Sequence, residues 1–229
     1  MRVSIIIPTM NEEASIGEVM DTINDSMKDF EGGYEVLVVD TNSKDRTREI
    51  ARSKGAKIID EPRRGYGRAY KTGFEKAEGE VIATLDADCT YPAEDIPGLV
   101  RILDTENLDF ITCDRLSKLE KGVMSAKHRL GNWILKVTTN ILFSMRIKDS
   151  QSGMWIFRRS ILEKINLTSD GMPLSEEIKI EAWKKELRAR EIPVIYRMRK
   201  GEAKLQSWND GWRNLKFLFR KRFKRKIRD

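Results

Sequence analysis

Short apolar runs alternate with segments of helical periodicity along the first half of the chain. Each run is three to five residues long, which is typical of a strand buried on both faces. The predicted strands are Val3–Ile7, Glu35–Val39, Ala56–Ile59, Val81–Leu85 and Phe110–Thr112. The helical segments between them are Glu12–Met27, Arg46–Lys54, Tyr66–Ala77 and Pro92–Leu103. This alternation predicts an α/β protein whose mostly parallel sheet is covered by helices on both faces.

The alternation weakens after residue 112, where three further helices are predicted. They are Lys127–Ser144, Ser175–Arg188 and a segment from about Trp208 onward. A chain of 229 residues suits one domain with an appendage. We therefore predict a domain at residues 1–205 and a basic amphipathic tail at residues 206–229. The chain has no run of about 18 apolar residues, so no helix is predicted to span a membrane.

Positive charge is concentrated at the C-terminal end of the chain. The 43 Lys and Arg residues exceed the 36 Asp and Glu residues by seven, and Arg220–Asp229 alone holds seven of the bases and one acid. A nucleic-acid-binding protein usually spreads its bases over a face or groove, so this distribution argues against a nucleic-acid partner. The single histidine, His128, excludes sites that need two or three imidazoles.

Polar and acidic clusters follow the predicted strands. Ligands of open α/β sheets bind beyond the carboxyl ends of the strands, and here those ends carry residues 8–12, residues 40–45 and the pair Asp86 and Asp88. Two carboxylates one residue apart at a buried strand end repel each other and are costly to desolvate. A divalent cation would relieve both effects, and oxygen ligands suit Mg²⁺ or Mn²⁺ bound to a substrate diphosphate.

The order of these motifs resembles the family 2 glycosyltransferases of the GT-A fold, and among them dolichyl-phosphate mannose synthase and its polyprenyl-phosphate relatives. The resemblance runs from about residue 3 to residue 205. Three later segments support the narrower relation: Asp149–Gly153, Ser175–Glu177 and Arg199–Leu205. The last of these is similar to the R-x-G-E-S-K-L motif of that family. The resemblance implies a GT-A fold, a Rossmann-like, mostly parallel mixed sheet flanked by helices.

The resemblance also implies a role for each matching position. The residues that would bind the donor are Pro8, Thr9, Glu12, Asp40, Asn42, Asp86 and Ala87. The metal, Mg²⁺ or Mn²⁺, would be held by Asp86 and Asp88. The acceptor phosphate would be bound by Arg115, Arg129 and Arg199. These three arginines, together with Asp88, would form the catalytic set.

The implied reaction is an inverting, metal-dependent transfer of a sugar from a nucleotide-diphosphate sugar to dolichyl or polyprenyl phosphate, for protein or envelope glycosylation. A phosphate acceptor is already an anion at neutral pH and needs no strong base. The alternative is a hydroxyl acceptor, which would need a carboxylate base. Glu177 or Glu176 is the candidate for that role, although acids there equally suit the first turn of a helix.

Two departures from the family pattern leave the donor open. Thr41 stands where the family often has a second Asp, and Cys89–Tyr91 replace a commoner polar set after the acidic pair. GDP-mannose, UDP-glucose and UDP-N-acetylglucosamine therefore all stay candidates.

The tail carries an apolar stripe among its bases. Its members recur at helical spacing and are Trp208, Trp212, Leu215, Phe219 and Phe223. A basic amphipathic helix with Trp and Phe on one side lies in a membrane interface, so we predict a peripheral protein on the cytoplasmic face of a membrane. The other interpretation is that this stripe packs on the body.

A second stripe suits a core and a membrane surface equally. Its members are Leu130, Trp133, Ile134, Val137 and Ile141.

Whether a separate membrane subunit takes part is open. Beside the phosphate-acceptor and hydroxyl-acceptor hypotheses, a third is a nucleic-acid-binding protein that binds through its basic tail. That hypothesis gives Asp86 and Asp88 no role.

Overall fold

The computed structural model describes residues 1–201 and 207–223, with the side chains of the last helix described from residue 210. The strands are β1 (Val3–Thr9), β2 (Tyr34–Asp40), β3 (Lys57–Asp60), β4 (Val81–Thr84), β5 (Phe110–Asp114), β6 (Trp155–Arg158) and β7 (Ala189–Pro193). The α-helices are α1 (Ile16–Met27), α2 (Thr47–Ser53), α3 (Tyr66–Lys76), α4 (Ile96–Thr105), α5 (Ala126–Phe143), α6 (Leu174–Lys184) and α7 (Ser207–Phe223). Short 3-10 helices at Ala93–Asp95 and Arg159–Glu163 complete the elements of the described residues.

The strands form one mixed sheet in the order β3-β2-β1-β4-β6-β5-β7. All neighbouring pairs are parallel except those of β6, which runs antiparallel to β4 and to β5. The predicted mostly parallel mixed sheet flanked by helices is thus confirmed. Two strands were not predicted, β6 and β7. In β7 the adjacent charged residues Arg190 and Glu191 interrupt the apolar pattern at a half-exposed edge of the sheet.

The two faces of the sheet carry separate cores. On β1, Ile5 and Ile7 pack in a cluster with α1 and α4, whereas Ile6 packs in a second cluster with α3 and α6. All three isoleucines are fully buried. Burial of alternate side chains in opposite cores explains why β1 reads as a continuous apolar run.

A smaller third cluster joins α5, α6 and α7 beside the sheet. It is formed by Leu135, Phe143, Met145, Ile180 and Leu218, with Leu142 and Leu215 packed against it. Of the predicted tail stripe, Leu215 therefore contacts the body, while Trp212, Phe219 and Phe223 are exposed. The Trp208 side chain and residues 202–206, including the predicted boundary at 205/206, lie outside the described residues.

Polar contacts also hold α7 against the body. Asn214 Nδ2 donates to Gln151 Oε1 at 2.9 Å, and Lys221 Nζ lies 2.8 Å from Glu177 and 2.9 Å from Glu181. None of the described helices is both long enough and apolar enough to cross a membrane.

Candidate active site

The acidic pair after β4 lies at the carboxyl edge of the parallel strands. Asp86 Oδ1 is 3.5 Å from the hydroxyl oxygens of both Tyr66 and Tyr70. Burial, followed by the charge of Asp88, raises the pKa of Asp86 to about 7, while Arg199 and Arg115 act in the opposite direction. The structure thus brings two of the predicted arginines close to the acidic pair.

Asp88 is buried and held on both of its carboxylate oxygens. Oδ1 accepts hydrogen bonds from the Thr90 hydroxyl at 2.6 Å and the Thr90 amide at 3.1 Å. Oδ2 forms an ion pair with Arg199 Nη2 at 2.8 Å, and the Lys200 amide donates to the Asp88 carbonyl at 2.9 Å. The segment after β7 therefore folds back over this carboxylate.

A divalent cation fits this pair of carboxylates. Within residues 1–201 and the described part of α7, no group of three or more His, Cys, Asp or Glu side chains is arranged to hold a metal. Mg²⁺ is commonly held by one or two carboxylates, with substrate phosphates and water supplying the other oxygens. Two crowded carboxylates beside cationic side chains match that kind of shared site.

The ends of β1 and β2 enclose a cavity of about 250 Å³. Its lining residues are Met10, Asn11, Thr41, Asn42, Lys44, Pro62 and Arg64. At the strand ends, Thr9 Oγ1 donates to Asp40 Oδ1 at 3.0 Å, and Ser43 donates to both Asp40 oxygens. Asp40 is therefore buried and orients the turn that carries Asn42.

Three predicted donor-binding positions remain: Pro8, Glu12 and Ala87, the last of which is buried between the two acidic residues after β4. Pro8 is a half-buried residue of β1, paired in register with Val39. Glu12 is half-buried in the turn before α1, where its amide donates to Thr47 Oγ1 at 2.7 Å. Helix α1 starts at Ile16 rather than at Glu12, since residues 12–15 form that turn.

Glu61 and Arg63, which follow β3, were not among the predicted site residues. Hydrogen bonds from Arg63, one of them 2.7 Å long, lower the pKa of Glu61 to about 2. Arg64 lines the cavity itself. Ligands of open α/β sheets bind beyond the carboxyl ends of the strands, and that rule applies to the residues after β3 as well. The sequence could therefore have pointed to this acidic and basic cluster.

Arg115, directly after β5, is buried against Asp149. Its Nε and Nη2 atoms donate to the two oxygens of Asp149 at 2.7 and 2.9 Å. Burial works to raise the pKa of Asp149, but the charge and hydrogen bonds of Arg115 outweigh it and keep the pKa below its ordinary value. The guanidinium also lies 5.2 Å from the centre of the Tyr196 ring. Bidentate pairing and ring contact fix the orientation of this cation.

We expect Asp149→Asn to lower the free energy of unfolding by about 3 kcal/mol, because it leaves the buried Arg115 charge without its counter-charge. Urea denaturation measures this loss. The control is Asp104→Asn, which removes a partly exposed carboxylate paired with Arg2 and Arg158. That change is expected to cost less than about 1 kcal/mol, and equal losses in the two variants would contradict the prediction.

The segment 149–153 is fastened beneath the site. Lys179 Nζ donates to the carbonyls of Asp149, Ser150 and Ser152 at 3.0, 3.0 and 2.9 Å. A Cβ atom on Gly153 would lie 2.0 Å from the Tyr66 hydroxyl oxygen, so only glycine lets this backbone pass so close to Tyr66. The sequence pattern pointed to this segment, but Lys179 carried no local signal.

Arg129 is placed differently from the other two predicted arginines. It lies in the first turn of α5 and is exposed, whereas Arg115 and Arg199 act directly on Asp86. Residues 202–205, the remainder of the motif that begins at Arg199, lie outside the described residues.

Glu176 and Glu177 are both fully buried. Glu177 accepts hydrogen bonds from the Thr168 amide at 2.9 Å, the Ser169 amide at 2.8 Å and Lys221 Nζ at 2.8 Å. Glu176 accepts one from Gln151, and burial raises the pKa of Glu176 to about 8. One carboxylate is thus engaged by the protein, and the other carries a proton at neutral pH.

Comparisons with known proteins agree with this geometry. Residues 4–166 match the model of the family described as glycosyl transferase family 2. The low-salt glycan biosynthesis hexosyltransferase Agl6 of Haloferax volcanii is 37% identical over 217 residues, which are 94% of this chain and 52% of that protein. The dolichyl-phosphate hexose transferase of the same organism is 34% identical over 91% of this chain and 88% of its own length.

A solved structure shows the same fold, and the predicted GT-A fold is thereby confirmed. Glucosyl-3-phosphoglycerate synthase from Mycobacterium tuberculosis, crystallised with Mn²⁺, UDP and glucosyl-3-phosphoglycerate, superposes with a TM-score of 0.73 at 20% identity and covers 96% of this chain and 79% of its own. The chain spans about half the length of the first of the relatives named above. The match to the family model and the identity to these relatives lead to one conclusion: the chain belongs to glycosyl transferase family 2.

Proposed function

We propose that this enzyme transfers a sugar from a nucleotide-diphosphate sugar to dolichyl or polyprenyl phosphate, with inversion at the anomeric carbon and with Mg²⁺ or Mn²⁺ as cofactor. One observation carries the choice of acceptor. Arg115 and Arg199 face the acidic pair, whereas the two carboxyls suited to act as a base for a hydroxyl acceptor are both buried. Glu177 is engaged by the protein, and Glu176 carries a proton at neutral pH. Such a site favours an acceptor that is already an anion.

Each group of the proposed site would have its own role in the transfer. The acceptor phosphate oxygen forms a bond to the anomeric carbon while the bond from that carbon to the donor diphosphate breaks, and the electron pair leaves with the diphosphate. Arg115 and Arg199 stabilise the two anionic groups, as preorganised cations do for developing charge. Asp86 and Asp88 would hold the metal, which when bound would neutralise charge on the departing diphosphate. Single displacement inverts the configuration, and no proton transfer is needed at the acceptor.

Names of relatives support a lipid-phosphate acceptor. One is named a dolichyl-phosphate hexose transferase. Another, from Pyrococcus furiosus, is named a dolichol-phosphate mannosyltransferase and is 31% identical over 90% of this chain and 60% of its own length. We propose that the protein works peripherally at the cytoplasmic face of a membrane, where such lipids are embedded. GDP-mannose, UDP-glucose and UDP-N-acetylglucosamine stay open as donors, as does the need for a membrane subunit.

A transfer assay tests the proposal. Purified protein with Mn²⁺ or Mg²⁺ is given dolichyl phosphate and each of the three radiolabelled donors, and label is counted in the organic phase. Dolichol is the matched control, since it presents a hydroxyl where the acceptor has a phosphate. Label from one donor with dolichyl phosphate, absent with dolichol and lost on adding EDTA, is expected.

Two outcomes would contradict the proposal. Label on dolichol or on a water-soluble sugar would establish the hydroxyl-acceptor alternative. Label on 3-phosphoglycerate alone, which carries both a phosphate and a hydroxyl, would show that the acceptor is a water-soluble compound and not a lipid. The anomeric configuration of the product, compared with that of the donor, separately tests inversion.

A further inference from the structure

Lys179 of α6 is a buried cation that serves one short segment of backbone. The residue is 3% exposed, and its Nζ atom donates hydrogen bonds to the carbonyls of Asp149, Ser150 and Ser152 at 3.0, 3.0 and 2.9 Å. An ammonium group has three N–H donors and no acceptor. All three donors of Lys179 are therefore used by the turn that residues 149–152 form.

A charge at this place is costly for the fold. Burial lowers the pKa of Lys179 from its ordinary value of 10.5 to about 8, because it disfavours the charged form. Replacement of buried charged groups by apolar side chains of similar volume often leaves stability unchanged or higher. The role of this cation therefore lies with the turn that it holds rather than with the packing of α6.

The turn connects two parts of the proposed site. Its first residue, Asp149, accepts hydrogen bonds from Nε, Nη2 and the amide of Arg115 at 2.7, 2.9 and 3.1 Å. Directly after the turn, Gly153 passes close to Tyr66, whose hydroxyl oxygen lies 3.5 Å from Asp86 Oδ1. A shift of this turn would therefore move Arg115 relative to Asp86.

The pair of Arg115 and Asp149 does not by itself fix the position of the guanidinium. Bidentate hydrogen bonds orient Arg115 relative to the Asp149 carboxylate, but the place of that carboxylate depends on its own backbone. The Asp149 amide donates to Glu191 of β7 at 2.8 Å, and Lys179 supplies the anchor to α6. Its three convergent hydrogen bonds thus tie the partner of Arg115 to a second element of the domain.

We propose that Lys179 is a positioning residue for sugar transfer: it fixes the turn that carries Asp149, and Asp149 holds the Arg115 guanidinium where it meets the acceptor phosphate. The inference rests on the proposed function, because a phosphate acceptor is what gives Arg115 its role. Lys179 acts through the backbone of its turn and not on the substrates themselves. Misplacement of a substrate-binding group by about 1 Å can lower a rate by about 10²-fold.

The first test is the kinetics of Lys179→Met, which keeps a long unbranched side chain and removes the charge and all three donors. We expect kcat/KM for dolichyl phosphate to fall about 10²-fold. KM for the nucleotide sugar should stay within about twofold, because the predicted donor positions on β1 and β2 are untouched. The control is Lys185→Met, the same change at the exposed residue that follows α6, and it should leave both constants within about twofold.

A double-mutant cycle with Arg115→Lys tests whether Lys179 acts through Arg115. Lysine keeps the charge of residue 115 but lacks the planar fork that binds both oxygens of Asp149. In that background Lys179→Met should lower kcat/KM by less than about threefold, because residues that act as one unit are non-additive. Equal losses from Lys179→Met in both backgrounds would show that it acts on another group and would overturn the proposal.

Hydrogen exchange tests the positioning role without any turnover. The Arg115 amide donates to Asp149 Oδ2 at 3.1 Å, so a loosened turn should expose it to water. We expect its exchange, followed by NMR, to become about tenfold faster in Lys179→Met. The amides of β1 serve as the internal control and should exchange at unchanged rates. An Arg115 amide that exchanges as slowly as in the unchanged protein would refute the role.

A second variant carries the test if circular dichroism shows that Lys179→Met is unfolded. Lys179→Gln retains two N–H donors, so the turn keeps part of its support. We expect kcat/KM for dolichyl phosphate to fall about tenfold in this variant, which corresponds to the loss of about one hydrogen bond. Lys179→Gln with the kinetics and the Arg115 exchange of the unchanged protein would overturn the proposal.

The two proposals fail in different ways. Faster exchange of the Arg115 amide in Lys179→Met, without any transfer of label to dolichyl phosphate by the unchanged protein, would contradict the proposed function and leave the positioning role standing. Transfer to dolichyl phosphate that Lys179→Met does not slow would refute the positioning role and leave the proposed function standing.

Discussion

Asp88→Asn is expected to lower kcat/KM for sugar transfer by about 10³-fold, because it removes a charge aimed at the metal and diphosphate. Asn keeps the size of the side chain and one carbonyl oxygen, which can still accept the hydrogen bonds from Thr90. The fold should therefore survive. The measurement is the initial rate of label transfer over a range of metal concentrations. The rate of the variant should rise less with added metal than the rate of the unchanged protein.

The control for this prediction is Asp109→Asn. Asp109 also pairs with an arginine, since its oxygens lie 2.9 and 3.0 Å from Nη2 and Nε of Arg188. It immediately precedes β5, so it lies at the amino end of a strand, whereas Asp88 lies beyond the carboxyl end of one. Activity within about twofold of the unchanged protein is expected, as for most surface substitutions away from the site. Equal activity in Asp88→Asn and Asp109→Asn would exclude Asp88 as a metal ligand.

Glu176→Gln is expected to raise the free energy of unfolding relative to the unchanged protein by up to about 4 kcal/mol at pH 8, and by little at pH 4.5. Burial raises the pKa of Glu176 from 4.5 to about 8. Between these values the unfolded chain releases the proton while the folded chain keeps it. The Glu176 contribution to stability is therefore present below pH 4.5 and is lost as the pH rises towards 8.

The pH series isolates Glu176 from its neighbours. Gln151 donates to its carboxyl, and Lys179 faces it as a nearby charge. Burial lowers the pKa of Lys179 to about 8, so this group starts to lose its proton in the folded state at about pH 7, and the gap that opens between pH 4.5 and about pH 7 is not affected by it. Urea unfolding of both proteins from pH 4.5 to 8 supplies the difference. A gap that does not widen with pH would mean that Glu176 is ionised in the folded protein.

The sequence predicted best the strands that are buried on both faces. A strand with a core on each face, such as β1, must be apolar throughout, and its bounds follow from that run. β7 lies at an edge, where Arg190 and Glu191 are tolerated, and therefore has no such signature. Asp86 and Asp88 were predicted as site residues because strand ends of an open sheet converge on one rim.

Other features of the site depend on contacts that are distant in sequence. In the sequence, Lys179 is one charged residue of a predicted helix. Its three carbonyl partners, from residues 149–152, are evident only in the structure. The proton on Glu176 follows from complete burial, which no local pattern reports. The exposure of the α5 stripe likewise depends on which side of that helix meets α7.

The reversed direction of β6 has a consequence for how this scaffold tolerates change. Because β6 is antiparallel, residues 115–154 leave the rim after β5 and return to that same rim before β6. The pair of Arg115 and Asp149 closes this excursion at its base. Residues 116–148, which include α5, thus leave and rejoin the sheet at one pair of neighbouring side chains, and Leu135 and Phe143 also pack them against α6 and α7. A change of length in the exposed parts of this segment should therefore leave the strand ends that carry Asp40, Asp86 and Asp88 in place.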